Sequence, residues 1–271
     1  MVQAVLIGIN YTGTNNALDG CGNDVKNYLW LFRTKFGLKN DVLILSDVPT
    51  ISALNTQPSA KYGLASFKPI RSHILTAFKL LSASAKAGKT VLLSYSGHGS
   101  NQHDPTGKEA DGRNETLVPL DHNSSGVITD DIVRAILIDP LPRKSRLIAF
   151  FDCCHSGTMA DLRFNFQCTP SRQVGTWIMR EDDKFTETAA QVIVVSGCLD
   201  SQQAADASEG GIAQGALTWA VCKVFRDRPG QPKITCQLFL RCIAENLMSH
   251  NYPQKATLSS GQQISLIHEY L

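Results

Sequence analysis

The chain has 271 residues, of which 43% are hydrophobic and 18% charged, so it can bury a substantial core and is not intrinsically disordered. Its 26 Lys and Arg residues nearly balance 24 Asp and Glu residues, which argues against a nucleic-acid clamp or a polybasic membrane patch. Eight cysteines are too few for a secreted disulfide scaffold, no apolar run could span a bilayer, and the amino terminus lacks a signal peptide. We therefore expect a cytoplasmic protein with mostly free thiols.

Short apolar runs alternate along the chain with segments of helical periodicity, a pattern typical of parallel strands joined by crossover helices. The candidate strands are residues 4–9, 41–45, 90–96, 147–151 and 192–196. Helices are predicted within residues 25–36, 70–81, 129–136, 214–225 and 235–247, the third of them capped by Thr129. A last apolar run, 264–267, is a candidate to close the sheet.

Two stretches break this alternation. Residues 99–125 are polar and Gly-rich and follow the third strand directly, where ligand-binding loops of open α/β sheets lie. Residues 163–188 lack clear periodicity and contain several Arg and Lys residues, which predicts a long exposed connection.

The residues with the clearest chemistry, His98 and Cys154, follow the third and fourth candidate strands. Their local sequences are Ser-Gly-His-Gly at 96–99 and Asp-Cys-Cys-His-Ser-Gly at 152–157. If the two strands are neighbours, about 4.8 Å apart, the imidazole and the thiol meet at one edge of the sheet. An adjacent imidazole favours the nucleophilic thiolate, and the N–H groups of Gly99 and Cys154 could face a developing oxyanion. This arrangement predicts nucleophilic catalysis by a cysteine.

Two other interpretations of these residues remain open. A buried cysteine and a histidine in a Gly-rich turn often serve only packing or capping. A metal cluster of His98, Cys153, Cys154 and His155 is the second alternative. It is disfavoured because adjacent cysteine side chains diverge and the chain has no Cys-x-x-Cys pair to complete a zinc site.

With both motifs in view, the sequence resembles the metacaspases, a family of caspase-like cysteine peptidases, over nearly its whole length. The family's small-subunit signature is also matched, by Ser-Gly-Cys-x-Asp-x-Gln at 196–202 and Ala-Asp-Ala at 205–207. The resemblance implies a caspase-like α/β fold, a three-layer sandwich whose mostly parallel sheet of six or more strands has helices on both faces. It implies one peptidase domain, 1–271, with a large-subunit-like portion (1–162), a connecting loop (163–188) and a small-subunit-like portion (189–271).

The same resemblance implies a cysteine endopeptidase in which Cys154 is the nucleophile, His98 the general base and no third member is required. It also implies an acidic pocket for the substrate residue before the scissile bond, at positions Cys21, Asp24, Ser96 and Asp152. Two carboxylates attract an Arg or Lys side chain and repel an acidic one, so we expect cleavage after Arg or Lys. Asp24 has an alternative role, complementing the dipole of a helix that begins near it.

A calcium site is the third implication of the resemblance, at positions Asn114, Asp130, Asp131 and Asp161. The family usually has aspartate at the first of these, so one negative charge is lost and we expect weaker binding. Asp111, in the same loop, could compensate. The alternative for Asp130 and Asp131 is purely structural, because acidic residues behind an N-cap stabilise a helix without any metal.

The remaining expectations concern processing and partners. Self-cleavage, if it occurs, is expected in the basic connecting stretch, at Arg172, Arg180 or Lys184. The resemblance favours a monomer without a prodomain that acts on polypeptides and not on nucleic acid or membranes. The rival functions are a noncatalytic caspase-like interaction domain and a caspase-like protease of different specificity. The first would be expected to lack the dyad, and cleavage after aspartate would need a basic pocket.

Overall fold

The computed structural model describes residues 1–107, 109, 112–153, 159–169, 176–197, 206–209, 211–231 and 233–271. Within them the strands are β1 Ala4–Gly8, β2 Val42–Ser46, β3 Thr90–Ser96, β4 Gly99–His103, β5 Arg113–Leu117, β6 Ile128–Thr129, β7 Arg146–Asp152, β8 Phe164–Thr169, β9 Thr176–Glu181, β10 Gln191–Ser196, β11 Asp206–Glu209, β12 Ile212–Gly215 and β13 Thr257–Ser260. The α-helices are α1 Cys21–Lys35, α2 Pro49–Ser52, α3 Arg71–Ser84, α4 His122–Ser125, α5 Asp130–Val133, α6 Ala216–Arg226 and α7 Cys236–Ser249. A 3₁₀ turn spans Ser59–Tyr62, and a π-helical segment, Arg134–Ile138, continues α5.

Most of the described strands form one sheet in the order β2-β1-β3-β7-β10-β13-β8-β9. The first five are parallel and the last three antiparallel. The parallel strands are buried almost throughout, which is why they are continuous apolar runs and not alternating patterns. All five candidate strands of the sequence are confirmed, each within one residue at either end.

Helices cover both faces of this sheet. On one face α1, α6 and α7 pack over a core that includes Phe150, and on the other α3 and the segment after α5 pack over a core that includes Phe151. These two phenylalanines are consecutive on β7, so they point to opposite faces, as the period of a strand requires. The α/β class and the three layers predicted from the sequence are confirmed.

The sequence prediction is wrong for two segments. Residues 163–188 are not one exposed connection, because they contain β8 and β9, which extend the sheet. Alternate residues of β8, namely Phe164, Phe166 and Cys168, are buried, and this two-residue period is typical of a strand with one buried face. Residues 264–267 form no strand, since the pairing with β10 is made by β13. Thr257–Ser260 consists of small polar residues and one leucine, so it lacks the apolar run that the prediction used.

The Gly-rich stretch after β3 is also more ordered than a loop. Its described part contributes β4, β5 and β6 to a small antiparallel sheet at the carboxyl edge of the parallel strands. The helix after β6 begins as predicted, because the Thr129 hydroxyl accepts a hydrogen bond from the N–H of Ile132 at 3.3 Å. Within the described residues, no helix combines the length and the apolar character needed to cross a bilayer.

Candidate active site

The two strands that end in the His and Cys motifs are neighbours. β3 pairs with β7 in parallel, with Ser96 opposite Asp152, and the N–H of Gly97 donates to the carbonyl oxygen of Asp152 at 3.4 Å. His98 therefore follows β3 immediately beside the end of β7. Cys153 is fully buried, whereas Cys154 lies outside the described residues. The adjacency of the strands, on which the predicted dyad depends, is confirmed.

The imidazole of His98 is held by the loop after β1. Its Nε2 lies 2.7 Å from the carbonyl oxygen of Asn16, and its ring lies against the ring of Tyr11 with a centroid distance of 4.6 Å. A carbonyl oxygen can only accept a hydrogen bond, so Nε2 carries the proton and Nδ1 is the basic nitrogen of the neutral ring.

Two buried tyrosines support the turn that carries His98. The Tyr11 hydroxyl accepts from the N–H of His98 at 3.0 Å and donates to the carbonyl oxygen of Val118 at 2.6 Å. The Tyr95 hydroxyl donates to the carbonyl oxygen of His98 at 2.9 Å. Burial raises the pKa of both hydroxyls well above the ordinary value, so both stay protonated and keep their donor hydrogens. A Cβ on Gly97 would lie 3.0 Å from the Tyr95 hydroxyl, so this turn requires a residue without a side chain.

Asp24 and Asp152 reach the same edge of the sheet from different elements. Asp24 lies in the first turn of α1 and Asp152 ends β7, and both are buried. One oxygen of Asp24 accepts from the N–H of Gly215 at 2.9 Å. One oxygen of Asp152 accepts from both the N–H and the hydroxyl of Thr218, each at 2.8 Å. A Cβ on Gly215 would lie 2.1 Å from Asp152 Oδ2 and 3.0 Å from Asp24 Oδ2, so the two carboxylates converge there.

The other two residues of the predicted pocket lie at the same edge. Ser96 ends β3 between Gly8 of β1 and Asp152 of β7, and Cys21 is the first residue of α1; both are buried. A Cβ on Gly8 would lie 2.5 Å from the carbonyl oxygen of Cys21, so α1 begins in close contact with the end of β1. The structure thus brings together four residues that are far apart in the sequence.

A second acidic group lies around the start of α5. Oxygens of Asp130, Asp161 and Glu109, one from each carboxylate, lie within 4.8 Å of one another. Asp130 accepts hydrogen bonds from the N–H groups of Glu115 and Asp131, both at 2.7 Å. These two bonds fix the orientation of the Asp130 carboxylate.

The electrostatic environment of Asp161 is unusual for a carboxylate. The residue is only 3% exposed, and its Oδ1 has no hydrogen-bond partner among the described residues. Burial, and then the negative charges of Asp130 and Glu109, raise its pKa to about 8. The Arg134 guanidinium donates to the backbone oxygen of Asp161 and to Asp139, and it lowers that pKa only in part.

The other two residues of the predicted calcium site form a pair. The side-chain amide of Asn114, on β5, donates to Asp131 Oδ2 at 3.2 Å. Neither residue belongs to the group of three converging carboxylates found in the described part of the chain.

The candidate self-cleavage residues lie in different environments. Arg180 is an exposed residue of β9 and is paired with Asn165 of β8, and Lys184 is exposed after the end of β9. Arg172 and the candidate ligand Asp111 both fall outside the described residues.

Sequence reasoning missed several residues of this region. Tyr11 and Asn16 follow the first strand at the edge already singled out, which was a usable signal. Glu109 lies in the Gly-rich stretch two residues before Asp111, which was the residue considered there. Thr218 and Gly215 carry no local signal, since their contacts to Asp152 and Asp24 depend entirely on the tertiary fold.

Comparisons with known proteins agree with this geometry. The family model described as "Metacaspase, peptidase C14 domain" matches residues 2–163. Metacaspase-1 of Mycosarcoma maydis is 34% identical over 303 aligned residues, covering 97% of this chain and 71% of the relative. Metacaspase-2 of Trypanosoma brucei brucei is 36% identical over 206 residues, covering 76% of this chain and 56% of the relative. The crystal structure of a Geobacter sulfurreducens protein shares the fold with a TM-score of 0.62 at 19% identity, covering 98% of this chain and 96% of that one.

Proposed function

The chain belongs to the metacaspase family of C14 cysteine peptidases and has its caspase-like α/β fold, and from this premise we propose that it hydrolyses polypeptides after Arg or Lys with a Cys154–His98 dyad. The observation that carries the proposal is the convergence of Asp24 and Asp152 beside the edge where His98 follows β3.

The dyad chemistry follows from the orientation of His98. Its Nε2–H faces the Asn16 carbonyl oxygen, so Nδ1 takes the thiol proton of Cys154. The thiolate attacks the scissile carbonyl carbon, and the N–H groups of Gly99 and Cys154 stabilise the resulting oxyanion. The intermediate collapses to a thioester as His98 returns the proton to the leaving amine. Water then hydrolyses the thioester and regenerates the thiol.

The specificity follows from charge and space. Asp24 and Asp152 place two carboxylates at one point, and their backbone and hydroxyl donors keep them oriented. A guanidinium or ammonium group is the ligand that such a pair lacks, whereas an aspartate side chain would meet like charge. Cys21 and Ser96 have small side chains, which leave room for the long stem of Arg or Lys.

We further propose that Ca²⁺ enhances the activity. The residues fit a hard cation, because Asp161 keeps a buried oxygen without a partner beside the carboxylates of Asp130 and Glu109. Asp130 and Asp161 would hold the ion, with Asp131 and Asn114 completing the set that the family resemblance implies. When bound, the cation supplies positive charge that offsets the repulsion among these carboxylates.

Fluorogenic peptides ending in Arg, Lys or Asp, assayed with and without Ca²⁺, test the proposal. We expect cleavage of the Arg and Lys peptides only, faster with Ca²⁺, and no cleavage by Cys154→Ala. Cys153→Ala is the matched control, since it removes the neighbouring buried thiol and leaves the dyad intact. Absence of Arg and Lys cleavage at every Ca²⁺ concentration would refute the specificity, and full activity of Cys154→Ala would move the nucleophile elsewhere.

A further inference from the structure

The acidic group near α5 differs from the set that the family resemblance implies. Position 114 holds an amide, and that amide donates to Asp131 Oδ2 at 3.2 Å. Asp131 is thereby engaged by Asn114, and the carboxylate that joins Asp130 and Asp161 within 4.8 Å is that of Glu109. A glutamate from a different strand connection thus stands where a third negative ligand is required.

Glu109 is held in this position by its own loop. The buried Asp104 accepts a hydrogen bond from the N–H of Glu109 at 2.9 Å, and its other oxygen accepts from the N–H and hydroxyl of Thr106. The ends of the loop are joined, because the N–H of Asp104 donates to the carbonyl oxygen of Gly112 at 2.8 Å. The backbone on either side of Glu109 is therefore tied down.

We propose that Glu109, together with Asp130 and Asp161, forms the cation site of this chain, and that Asp131 and Asn114 form a hydrogen-bonded pair beside it. The inference rests on the calcium site proposed above and changes its ligands. Glutamate supplies the negative charge that asparagine at position 114 does not.

The state of Asp161 is an independent observation in favour of a bound cation. Its Oδ1 is buried and has no hydrogen-bond partner among the described residues, and the residue is 97% buried, being 3% exposed. A buried carboxylate oxygen without a donor is unfavourable unless a ligand satisfies it. Arg134 does not do so, because its guanidinium donates to the backbone oxygens of Asp161 and Thr186 and to Asp139. A divalent cation would satisfy all three carboxylates at once.

Calorimetric titration of Ca²⁺ into the Cys154→Ala protein, which cannot cleave itself by the proposed mechanism, tests this assignment. We expect Glu109→Gln to weaken Ca²⁺ binding by about tenfold or more, because the ion loses a charged ligand, and the matched variant Asp131→Asn to change it by less than about threefold. Melting curves in EDTA check that both variants fold, and Asp161→Asn should abolish binding.

The outcomes separate this inference from the proposed peptidase activity. Unchanged Ca²⁺ affinity in Glu109→Gln, or a larger loss in Asp131→Asn than in Glu109→Gln, would overturn the Glu109 assignment and favour the ligands implied by the family. Absence of Ca²⁺ binding by the unsubstituted site would overturn it as well. Peptide cleavage is measured on the protein with Cys154 intact, so its failure alongside normal Ca²⁺ binding would refute the proposed activity and leave the cation site standing.

Discussion

At the scale of single residues, Gly215 limits the space around the two pocket carboxylates. Because a Cβ there would lie 2.1 Å from Asp152 Oδ2 and 3.0 Å from Asp24 Oδ2, Gly215→Ala must displace one or both carboxylates. We expect KM for an Arg peptide to rise by about tenfold, the loss of roughly one ion-pair contact, with a smaller change in kcat. Steady-state kinetics at several peptide concentrations measure both.

Gly261→Ala is the matched control for this substitution. A Cβ there would lie 2.2 Å from the hydroxyl oxygen of Thr188, a comparable collision in a region that contributes none of the pocket residues. It should lower the melting temperature without raising KM. If both variants raise KM equally, the effect of Gly215→Ala is a general loss of stability and the pocket argument fails.

The Tyr11 hydroxyl is predicted to position the general base. In Tyr11→Phe the buried N–H of His98 loses its acceptor, a cost of roughly 1–3 kcal/mol that the turn can relieve by moving His98. We expect kcat/KM to fall by about tenfold, mainly through kcat, because substrate contacts are unchanged.

Tyr62→Phe is the control for the loss of a buried tyrosine hydrogen bond. Tyr62 donates to the carbonyl oxygen of Val42 at 3.3 Å, on β2 at the other side of the parallel strands. Both variants should melt a few degrees lower. Only Tyr11→Phe should lose activity, and equal losses in the two variants would contradict a positioning role.

At the scale of secondary-structure elements, the pairing of β8 with β9 discriminates between the candidate self-cleavage sites. Arg180 belongs to the β9 ladder, so a peptidase could bind it only after β9 separates from β8. Lys184 is exposed beyond the ladder, where the chain can enter a cleft with less unfolding. Among the described candidates we therefore expect Ca²⁺-triggered cleavage after Lys184 before Arg180.

Intact-mass spectrometry during a time course after Ca²⁺ addition identifies the first cut. Lys184→Ala should slow the appearance of the fragment that ends at residue 184, while Arg180→Ala should not. A first cut after Arg180 would show that β9 separates readily, and absence of any cut would refute self-processing under these conditions.

The elements also show which parts of the fold can be predicted from the sequence. Parallel strands such as β3 are buried on both faces, and a continuous apolar run identifies them directly. β13 could not be found this way, because Thr257–Ser260 is mostly polar and is buried only through its neighbours β10 and β8. β8 has the alternation of a strand, but its Asn and Gln residues hide the signal in a composition average.

At the scale of the whole molecule, the near balance of 26 basic and 24 acidic residues conceals two local concentrations of negative charge. Asp24 and Asp152 form one, and Glu109, Asp130 and Asp161 the other. The sequence predicts the His98 motif from local pattern alone, since strand, turn and histidine are contiguous. It cannot predict which glutamate or threonine completes each acidic group, because those contacts join segments that only the folded sheet brings together.

The two thiols between the sheet and helices α6 and α7, Cys222 and Cys236, provide a test of the molecule's global stability. Both are fully buried, and burial raises the pKa of each to about 12, so at pH 9 roughly one molecule in a thousand carries the thiolate at either site. An unfolded chain ionises these thiols near pH 9, so the free energy of unfolding should fall as pH rises from about 9 toward 12.

We therefore expect iodoacetamide at pH 9 to leave Cys222 and Cys236 unmodified in the native protein and to alkylate both once urea unfolds it, as measured by peptide mass spectrometry. Exposure of both thiols requires α6 and α7 to leave the sheet, so the two should become reactive at one urea concentration, together with the loss of the circular dichroism signal. Earlier reaction of either thiol would show that this helical layer opens separately from the parallel sheet.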